Sequence, residues 1–412
     1  MSALVNEITE TEDRLGFLLS YRPVYARSKS VAAYDILLGG HGGDSLAIAQ
    51  LASRVVLGAY ADIYQNGRME TVPNFLRVTP ATFRATQAAS LPKDQYILEI
   101  DAAGDAPPGL LERTRALSQS GYRLALAGYR PGEDGLIPLL DLVQVVRLDL
   151  RRLGMAAVAD AARRLRFQPV KLLVDGVDDV DQFYGCADLE VAYFQGDFLN
   201  QPAPSKGKKI SNNKQVLLAL LSELRKPDTS PAALEQIAIK DPGLAFRILK
   251  IINSAALGLS RRIDSLSEAI NLLGTDELGR WANLLLVHGE PGKPDELVRN
   301  MLVRGRMCEI IAALSGFGEP TSYFIVGLLS RLDVMMDIPM NHLLQQVPLG
   351  ADVKQALLHR GGKMGQVLAE VENYERGRFD RLTWMVDASL YEVAYRHSVN
   401  WARQSQQALG AT

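Results

Sequence analysis

Three polar side chains stand at the ends of two apolar runs, where they could bind a ligand. The runs are Lys171–Val177 and Val191–Leu199, and a polar segment with helical character joins them. Asp175 lies near the end of the first run, and Gln195 and Asp197 lie near the end of the second. Because parallel strands that are buried on both faces read as continuous apolar runs, we predict a strand–helix–strand unit. Folds built from such units place their chemistry at the C-terminal ends of the strands, and carboxylates there are suited to hard cations.

The elements that must position these groups repeat the same unit through the first half of the chain. Strand-like runs alternate with segments of helical period from Phe17 onward, with Asp44–Tyr64 and Pro80–Ala89 among the predicted helices. About eight such strands favour a closed β/α barrel, although ~200 residues is small for that fold. An open doubly wound sheet is the alternative. The loop Gly39–Gly43 lies between a strand and a helix, but its spacing matches neither known phosphate-binding glycine motif, so we interpret it as a plain loop.

Composition and charge exclude several classes of function. The 412 residues are 47% hydrophobic and 22% charged, with a net charge of −2, so we expect no general attraction to nucleic acid or to an anionic membrane. The two cysteines, Cys186 and Cys308, are too few for a disulfide framework. The acidic N-terminus does not resemble a signal peptide, and no apolar run approaches the ~20 residues of a membrane span. We therefore predict a cytoplasmic protein with two or three domains.

The strand pattern ends near Gln201. The following stretch is rich in Pro, Ser, Gly, Lys and Asn and indicates a linker. From Lys214 onward, helical periods follow one another with short loops, with Asp241-Pro242 as one start signal and Gly274 as one stop signal. The predicted fold class is therefore α/β followed by all-α, with a barrel domain at 1–202, a linker at 203–213 and an all-α domain at 214–412.

Five segments of the first half carry a resemblance to a known family. They are Tyr193–Pro202 (YFQGDFLNQP), Leu173–Gln182 (LVDGVDDVDQ), Arg147–Asp149, Leu98–Asp101 and Tyr34–Leu37. In this order they are similar to the closing strand, the AEGVE segment, the KID motif, the E-x-T-E strand and the EAL tripeptide of EAL domains, the bacterial cyclic di-GMP phosphodiesterases. The resemblance covers residues 15 to 202 and implies a β/α barrel with a metal-dependent site.

The resemblance places nine residues at the positions of the family's pocket: Asp35, Arg77, Glu99, Ala127, Gly128, Arg147, Asp149, Asp175 and Gln195. Glu99 and Asp149 are retained, whereas Asp35 and Asp175 each stand where the family has a glutamate. The pocket therefore keeps four carboxylates, two of them shorter by one methylene.

Five other positions depart further from the family. Arg77 stands where the family has a metal-ligating asparagine, and Ala127 and Gly128 stand where it has the adjacent aspartates that bridge two metals. Arg147 replaces the lysine that activates water, and an arginine cannot act as a base because its pKa is above ~12. Gly39 takes the place of an arginine that the family uses on the ligand phosphate. These departures identify the domain as a degenerate relative with vestigial sites.

The loss of oxygen ligands argues against a metal pair. Mg²⁺ takes about six oxygen ligands, and a two-metal mechanism needs both ions. Asp35, Glu99, Asp149 and Asp175 are still expected to converge at one end of the barrel, and like carboxylates at close range need a cation between them. We hypothesise that Arg77 is this cation; the alternative is that it points outward or pairs with one surface acid. We expect neither a bound metal nor another cofactor.

The second half resembles a different family. Asp241–Gly274, DPGLAFRILKIINSAALGLSRRIDSLSEAINLLG, is similar to the core of HDOD domains, which are related to HD phosphohydrolases but lack their metal site. Ser330 and Arg331 stand where an active relative has the His-Asp pair. The five histidines of the chain do not replace it, because no two of them have helical metal-binding spacing.

Both resemblances together imply a degenerate EAL barrel fused to an HDOD domain. We expect a bacterial signalling protein that is not an enzyme and acts through contacts with other signalling proteins, with self-association as a further expectation. One alternative is an inactive receptor for cyclic di-GMP, although Gly39 makes binding of the dinucleotide doubtful. The other alternative is a weak cyclic di-GMP phosphodiesterase.

Overall fold

The structure is a computed structural model. It describes residues 17–40, 72–78, 93–102, 109–132, 134–202, 212–226, 228–238, 240–241, 244, 247–249, 252–253, 265–287, 293–347 and 349–409. The predicted helices Asp44–Tyr64 and Pro80–Ala89, positions 41–43 of the glycine loop and positions 203–211 of the linker lie outside these residues.

The first half forms a closed barrel of eight strands that pair in chain order, so the barrel prediction is confirmed over the open sheet. The strands are β1 Phe17–Ala26, β2 Val31–Gly40, β3 Asn74–Val78, β4 Tyr96–Asp101, β5 Arg123–Ala127, β6 Val145–Asp149, β7 Lys171–Asp175 and β8 Tyr193–Gln195. Strand β1 is antiparallel to both of its neighbours, and the other neighbouring pairs are parallel.

One apolar side chain from each strand fills the barrel interior in a single layer. In strand order these residues are Val24, Ala33, Phe75, Ile97, Ala125, Val145, Leu173 and Tyr193. Successive side chains of a strand point to opposite faces, so every second residue returns to the interior. The apolar layer therefore determines which residues face the interior next, two positions along each strand toward the barrel mouth.

Helices follow several strands of the barrel. Those in the described part are α1 Leu110–Gln119, α2 Ile137–Leu140, α3 Leu150–Leu165 and α4 Val180–Ala187. The carboxylate of Asp149 accepts a hydrogen bond from the backbone N–H of Arg152, and that of Asp179 accepts one from Gln182, so that each caps the helix that follows. The chain therefore turns sharply from β6 into α3 at the barrel mouth.

The second half is helical throughout its described residues, as predicted. Its helices are α5 Asn212–Leu224, α6 Pro231–Ala238, α7 Leu266–Val287, α8 Asp295–Leu314, α9 Pro320–Leu329, α10 Leu332–Met336, α11 Met340–Gln346, α12 Ala351–His359, α13 Gly362–Glu375 and α14 Ala388–Leu409. Helix α8 is buried over nearly its whole length and packs against α9 and α14. Gly274 ends a helical segment as predicted: its φ of +80° is non-helical, and α7 consists of two helical segments that meet at this residue.

Contacts divide the chain into two compact units. The barrel unit consists of Leu15–Gln201 together with Glu375–Phe379, and the helical unit consists mainly of Pro202–Tyr374 and Asp380–Thr412. Within the barrel unit, the hydroxyl of Ser20 on β1 donates a hydrogen bond of 2.9 Å to the carbonyl of Glu375. Among the described residues, every helix is too short or too polar to traverse a lipid bilayer.

Candidate functional site

A second layer of inward-facing side chains lies two residues from the apolar layer on each strand, toward the barrel mouth. In strand order its members are Arg22, Asp35, Arg77, Glu99, Ala127, Arg147, Asp175 and Gln195. Seven of these eight side chains are among the nine pocket residues that the sequence predicts. We call this set the charged layer. It contains three arginines and three carboxylates, so its formal charges balance.

Arg147 stands at the centre of the charged layer. Its Nη1 donates to the amide oxygen of Gln195 at 2.7 Å and to Asp35 at 3.2 Å, and it lies 3.5 Å from Asp175. Its Nε lies 2.5 Å from an oxygen of Glu99, a close ion contact without good hydrogen-bond direction. The Arg147 side chain is 4% exposed and that of Glu99 is 1% exposed. The guanidinium therefore occupies the space at which the carboxylates converge.

Arg77 is not the central cation that the sequence hypothesis proposed. Its Nε and Nη2 donate to one oxygen of Glu99 at 3.2 and 3.1 Å, and its Nη1 lies 3.8 Å from Asp101. The Arg77 side chain is 54% exposed, because its partner Glu99 is its direct neighbour on β4 and the guanidinium need not cross the barrel to reach it. The central cation is Arg147, and Arg77 is a second cation at the edge.

Arg22 belongs to the site but was missed from the sequence. Its Nη2 lies 3.3 Å from Asp175. Strand β1 runs antiparallel to its neighbours, so its residue nearer the mouth precedes the apolar-layer residue Val24 instead of following it. An inward arginine two positions before an apolar-layer residue is the signal that would have found it.

Burial and charge act in opposite directions on the titration of these groups. Burial raises the pKa of the Glu99 carboxyl above its ordinary value, although the guanidiniums of Arg147 and Arg77 oppose it. Burial also tends to raise the pKa of Asp175, but Arg22, Arg147 and the Gly176 N–H together outweigh it and hold that pKa below its ordinary value. Asp175 is therefore a stable carboxylate, whereas Glu99 depends on its two cations.

Burial also tends to lower the pKa of Arg147. The carboxylates of Asp35, Glu99 and Asp175 outweigh this effect and hold the Arg147 pKa above its ordinary value. Arg147 therefore stays a cation, and it does not serve as a base.

The predicted positions Ala127, Gly128 and Asp149 add no carboxylate to the cluster around Arg147. Ala127 is buried at the end of β5, and Gly128 follows it with a φ of +82°, where the chain leaves the strand. Asp149 lies at the same end of the barrel, but its carboxylate accepts the N–H of Arg152 at 3.2 Å and caps α3. The expectation that Asp149 joins the converging acids is therefore corrected, because the start of a helix claims its side chain.

Gly39 lies close to Phe379 within the barrel unit. A Cβ at position 39 would stand 2.2 Å from the Cδ2 atom of the Phe379 ring, so no larger residue fits without displacing that ring. A phenylalanine ring therefore takes the space beside Gly39, at the position that the resemblance gives to a phosphate-binding arginine.

A cavity of about 380 Å³ opens at this end of the barrel. Its lining includes residues of the charged layer and of the loops beyond it: Arg77, Asp101, Ala127, Gly128, Tyr129, Arg130, Arg147, Asp149, Arg152, Leu153 and Asp175. Four of these residues are arginines and three are aspartates, so the lining carries one excess positive charge. Guanidinium groups in a concave site are suited to phosphate and carboxylate groups, whose oxygens they can bind in pairs.

The residues around Arg147 do not fit the divalent metal pair that the EAL resemblance implies. The guanidinium already lies within ion-pair distance of Asp35, Glu99 and Asp175, where a cation would have to sit. In the part of the chain that the structure describes, no group of three or more His, Cys, Asp or Glu side chains is arranged to hold a metal ion.

At the vestigial HD position that the sequence predicts, Ser330 contacts an arginine of the helical unit. Ser330 ends α9 and is buried, and its hydroxyl donates to the carbonyl of Gly327 at 2.7 Å. The buried Arg304 of α8 donates to that hydroxyl at 2.9 Å and lies 3.4 Å from Glu372. The neighbouring residue Arg331 is half-buried, and its charge helps to oppose the burial that raises the pKa of Asp333.

The fold and the site define a two-part chain with a closed β/α barrel, a charged barrel mouth and a helical second half. Residues 210–398 match the HDOD domain. The chain is 26% identical over 329 residues to "Cyclic di-GMP phosphodiesterase CdgJ" of Vibrio cholerae, which covers 78% of this chain and 76% of that protein. It is 24% identical over 390 residues to the uncharacterized protein YuxH of Bacillus subtilis, covering 91% of this chain and 94% of that protein.

Among solved structures, the barrel is similar to the EAL domain of Mycobacterium smegmatis DcpA. That likeness has 16% sequence identity and a TM-score of 0.38, and it covers 44% of this chain and 90% of the other.

The prediction that this chain is not an enzyme is contradicted by these comparisons. The Vibrio relative carries the name of a phosphodiesterase, and its alignment covers 78% of this chain, so that it extends into both halves. The prediction relied on the loss of metal ligands. That loss concerns only one mechanism of water activation, so it does not by itself exclude an enzyme.

Proposed function

We propose that this protein acts in cyclic di-GMP signalling and binds the dinucleotide in the cavity at the barrel mouth. The observation that carries the proposal is the cavity itself, a concave space of about 380 Å³ with four arginines in its lining. Cavities of roughly 300–1,000 Å³ are typical of small-molecule sites. The name of the Vibrio relative supports cyclic di-GMP as the phosphodiester to test.

The arginines of the lining divide into two groups with different roles. Arg147 and Arg77 pair with carboxylates of the charged layer, and the buried Arg147 holds that layer together. Arg130 and Arg152 lie beyond the charged layer, on the loop after β5 and at the start of α3. We assign the ligand phosphates to these outer arginines and one guanine base to the ring of Tyr129, which lines the same cavity.

Calorimetric titration of the full-length chain with cyclic di-GMP tests this proposal. A hydrogen bond to a charged group contributes about 1.5–3 kcal/mol, so Arg152→Ala should weaken binding by about 10- to 100-fold. Arg163→Ala is the control, because Arg163 lies in α3 beyond the break at Gly154, is 75% exposed, pairs with Asp160 and does not line the cavity. Absence of binding to the wild-type chain, or equal affinities of the two variants, would refute the proposal.

Hydrolysis of the dinucleotide is a second candidate function, favoured by the name of the Vibrio relative. The charged layer gives it Glu99 as the buried carboxylate to test, since two guanidiniums contact its oxygens. Release of linear dinucleotide should be followed for the wild type and for Glu99→Gln, with manganese and with a chelator. Turnover that the variant retains in full would show that the activity does not use this site.

The helical half is the proposed output of the signal, acting on other signalling proteins or on a second copy of the chain. The match of residues 210–398 to the HDOD domain supports this assignment. Light scattering of the full-length chain with and without cyclic di-GMP tests self-association. A monomer under both conditions at micromolar concentration would remove the second copy as a candidate.

A further inference from the structure

The charged layer carries an inference about cations. We infer that the guanidinium of Arg147 is a built-in replacement for a divalent cation, so that the carboxylates around it bind no Mg²⁺ or Mn²⁺ in the native protein. The inference rests on the barrel site of the proposed function but not on its ligand, because the test uses the metal alone. Its failure and the failure of cyclic di-GMP binding are therefore separate results.

The distances indicate that the Arg147 guanidinium takes the position of a cation among these oxygen atoms. The guanidinium approaches Glu99 at 2.5 Å, Asp35 at 3.2 Å and Asp175 at 3.5 Å, and it also donates to the amide oxygen of Gln195 at 2.7 Å. These four partners present the oxygen atoms that a hard cation would take as ligands. A single group that contacts all four of them leaves no room for an ion between them.

The charge balance points the same way. Arg22, Arg77 and Arg147 face three carboxylates in one layer, so the layer is neutral without a bound ion. A Mn²⁺ ion would add two positive charges beside a buried guanidinium that is 4% exposed, where repulsion is poorly screened. Removing Arg147 reverses this situation, because it leaves the carboxylates in excess and opens the space between them.

The test is the response of barrel unfolding to Mn²⁺ in the full-length chain. Wild-type protein should unfold at the same temperature in Mn²⁺ and in a chelator. Arg147→Met should gain a Mn²⁺-dependent rise of roughly 5–10 °C when the ion is present at about 100 times its dissociation constant. The control Arg151→Met removes an exposed arginine that pairs with Asp178 and should gain no such response.

Several outcomes would overturn the inference. One is Mn²⁺ stabilisation of the wild type that Glu99→Gln abolishes, because the ion would then bind beside the intact guanidinium. Another is an Arg147→Met variant that folds but ignores Mn²⁺. If Arg147→Met does not fold in the chelator, recovery of its barrel on refolding in Mn²⁺ supports the inference. If the variant folds under neither condition, calorimetric titration of the wild type with Mn²⁺ decides. Micromolar binding that depends on Glu99 would then reject it.

Discussion

Replacing Arg147 by methionine should destabilise the barrel and leave the helical unit unchanged. Methionine keeps much of the buried stem but removes the charge beside Glu99, which is 1% exposed. Removal of one partner from a buried ion pair costs about 3–5 kcal/mol, because the remaining charge stays buried without compensation. The charged layer therefore predicts a large effect from a single substitution that alters no apolar core residue.

The structure places the cost toward the lower end of that range. Glu99 retains the guanidinium of Arg77 at 3.1 Å, and Asp175 retains that of Arg22 at 3.3 Å. We therefore expect a loss of about 3 kcal/mol, equivalent to roughly 6–12 °C in the midpoint of barrel unfolding. The comparison variant Arg77→Met removes a side chain that is 54% exposed and should cost no more than about 1 kcal/mol.

The distribution of tryptophan allows the two units to be followed separately in the full-length chain. The three tryptophans of the sequence are Trp281, Trp384 and Trp401, and all of them lie in the helical unit. Tryptophan emission therefore reports the helical unit, whereas far-ultraviolet circular dichroism reports both units. Arg147→Met should lower a transition that circular dichroism detects and tryptophan emission does not.

The pH dependence provides a second check with a definite sign. Without Arg147, burial should raise the pKa of Glu99 further, because its largest opposing charge is gone. An acid whose folded-state pKa is raised binds more protons in the folded state, so its stabilising contribution is fully present below the unfolded pKa of about 4.3 and is lost as pH rises through the folded pKa. The destabilisation by Arg147→Met should therefore be smaller near pH 5 than near pH 8. A loss no greater than that of Arg77→Met, or the opposite pH trend, would refute the reasoning.

Three further predictions concern packing, buried polar groups and thiols. Glu370→Ala should lower the stability of the helical unit by about 3 kcal/mol in tryptophan-detected urea unfolding, because the buried carboxylate accepts bonds from two backbone N–H groups and a tyrosine hydroxyl; a loss below about 1 kcal/mol would contradict this. Gly327→Ala should lower the free energy of unfolding by about 1–3 kcal/mol, because its Cβ would stand 2.6 Å from a carbonyl of α8. Gly279→Ala meets open space and should stabilise α7 by about 0.5–1 kcal/mol. Equal effects of the two variants in the same unfolding assay would contradict the packing of α9 against α8. Burial raises the pKa of Cys186 to about 11, so this thiol and the buried Cys308 should react with a chromogenic disulfide at neutral pH only after denaturation, and labelling of the folded chain would show that one of them is accessible.

Much of the charged layer was predictable because a strand has a period of two. Asp35, Glu99, Arg147 and Asp175 were each identified from a motif, and each lies two residues beyond a member of the apolar layer. Once one inward residue of a parallel strand is known, the alternation of the strand determines the next. The convergence of these side chains at one barrel mouth therefore follows from strand order and register.

The roles within that layer were less predictable. Spacing determines the face on which an arginine lies, but it does not determine which carboxylate its long side chain reaches. Arg77 has an acid directly beside it on β4, whereas Arg147 has Leu173 as its register partner on β7 and reaches across the interior instead. Arg22 was missed because its strand runs in the opposite direction to the strands that follow. The reach of Arg147 is a tertiary effect that no local pattern determines, whereas Arg22 follows from its spacing once the direction of β1 is known.

The charged layer and the outer arginines should therefore control different properties of the protein. A layer in which three guanidiniums face three carboxylates exerts little net attraction on an anion, so affinity for a phosphodiester must come mainly from groups beyond it. Arg130 and Arg152 occupy that position in the cavity lining. Substitutions there should change ligand affinity and its dependence on salt, with little effect on barrel stability, because an exposed charge is screened by solvent. Substitutions of Arg147 should instead lower barrel stability, because its guanidinium already pairs with buried carboxylates in the absence of a ligand.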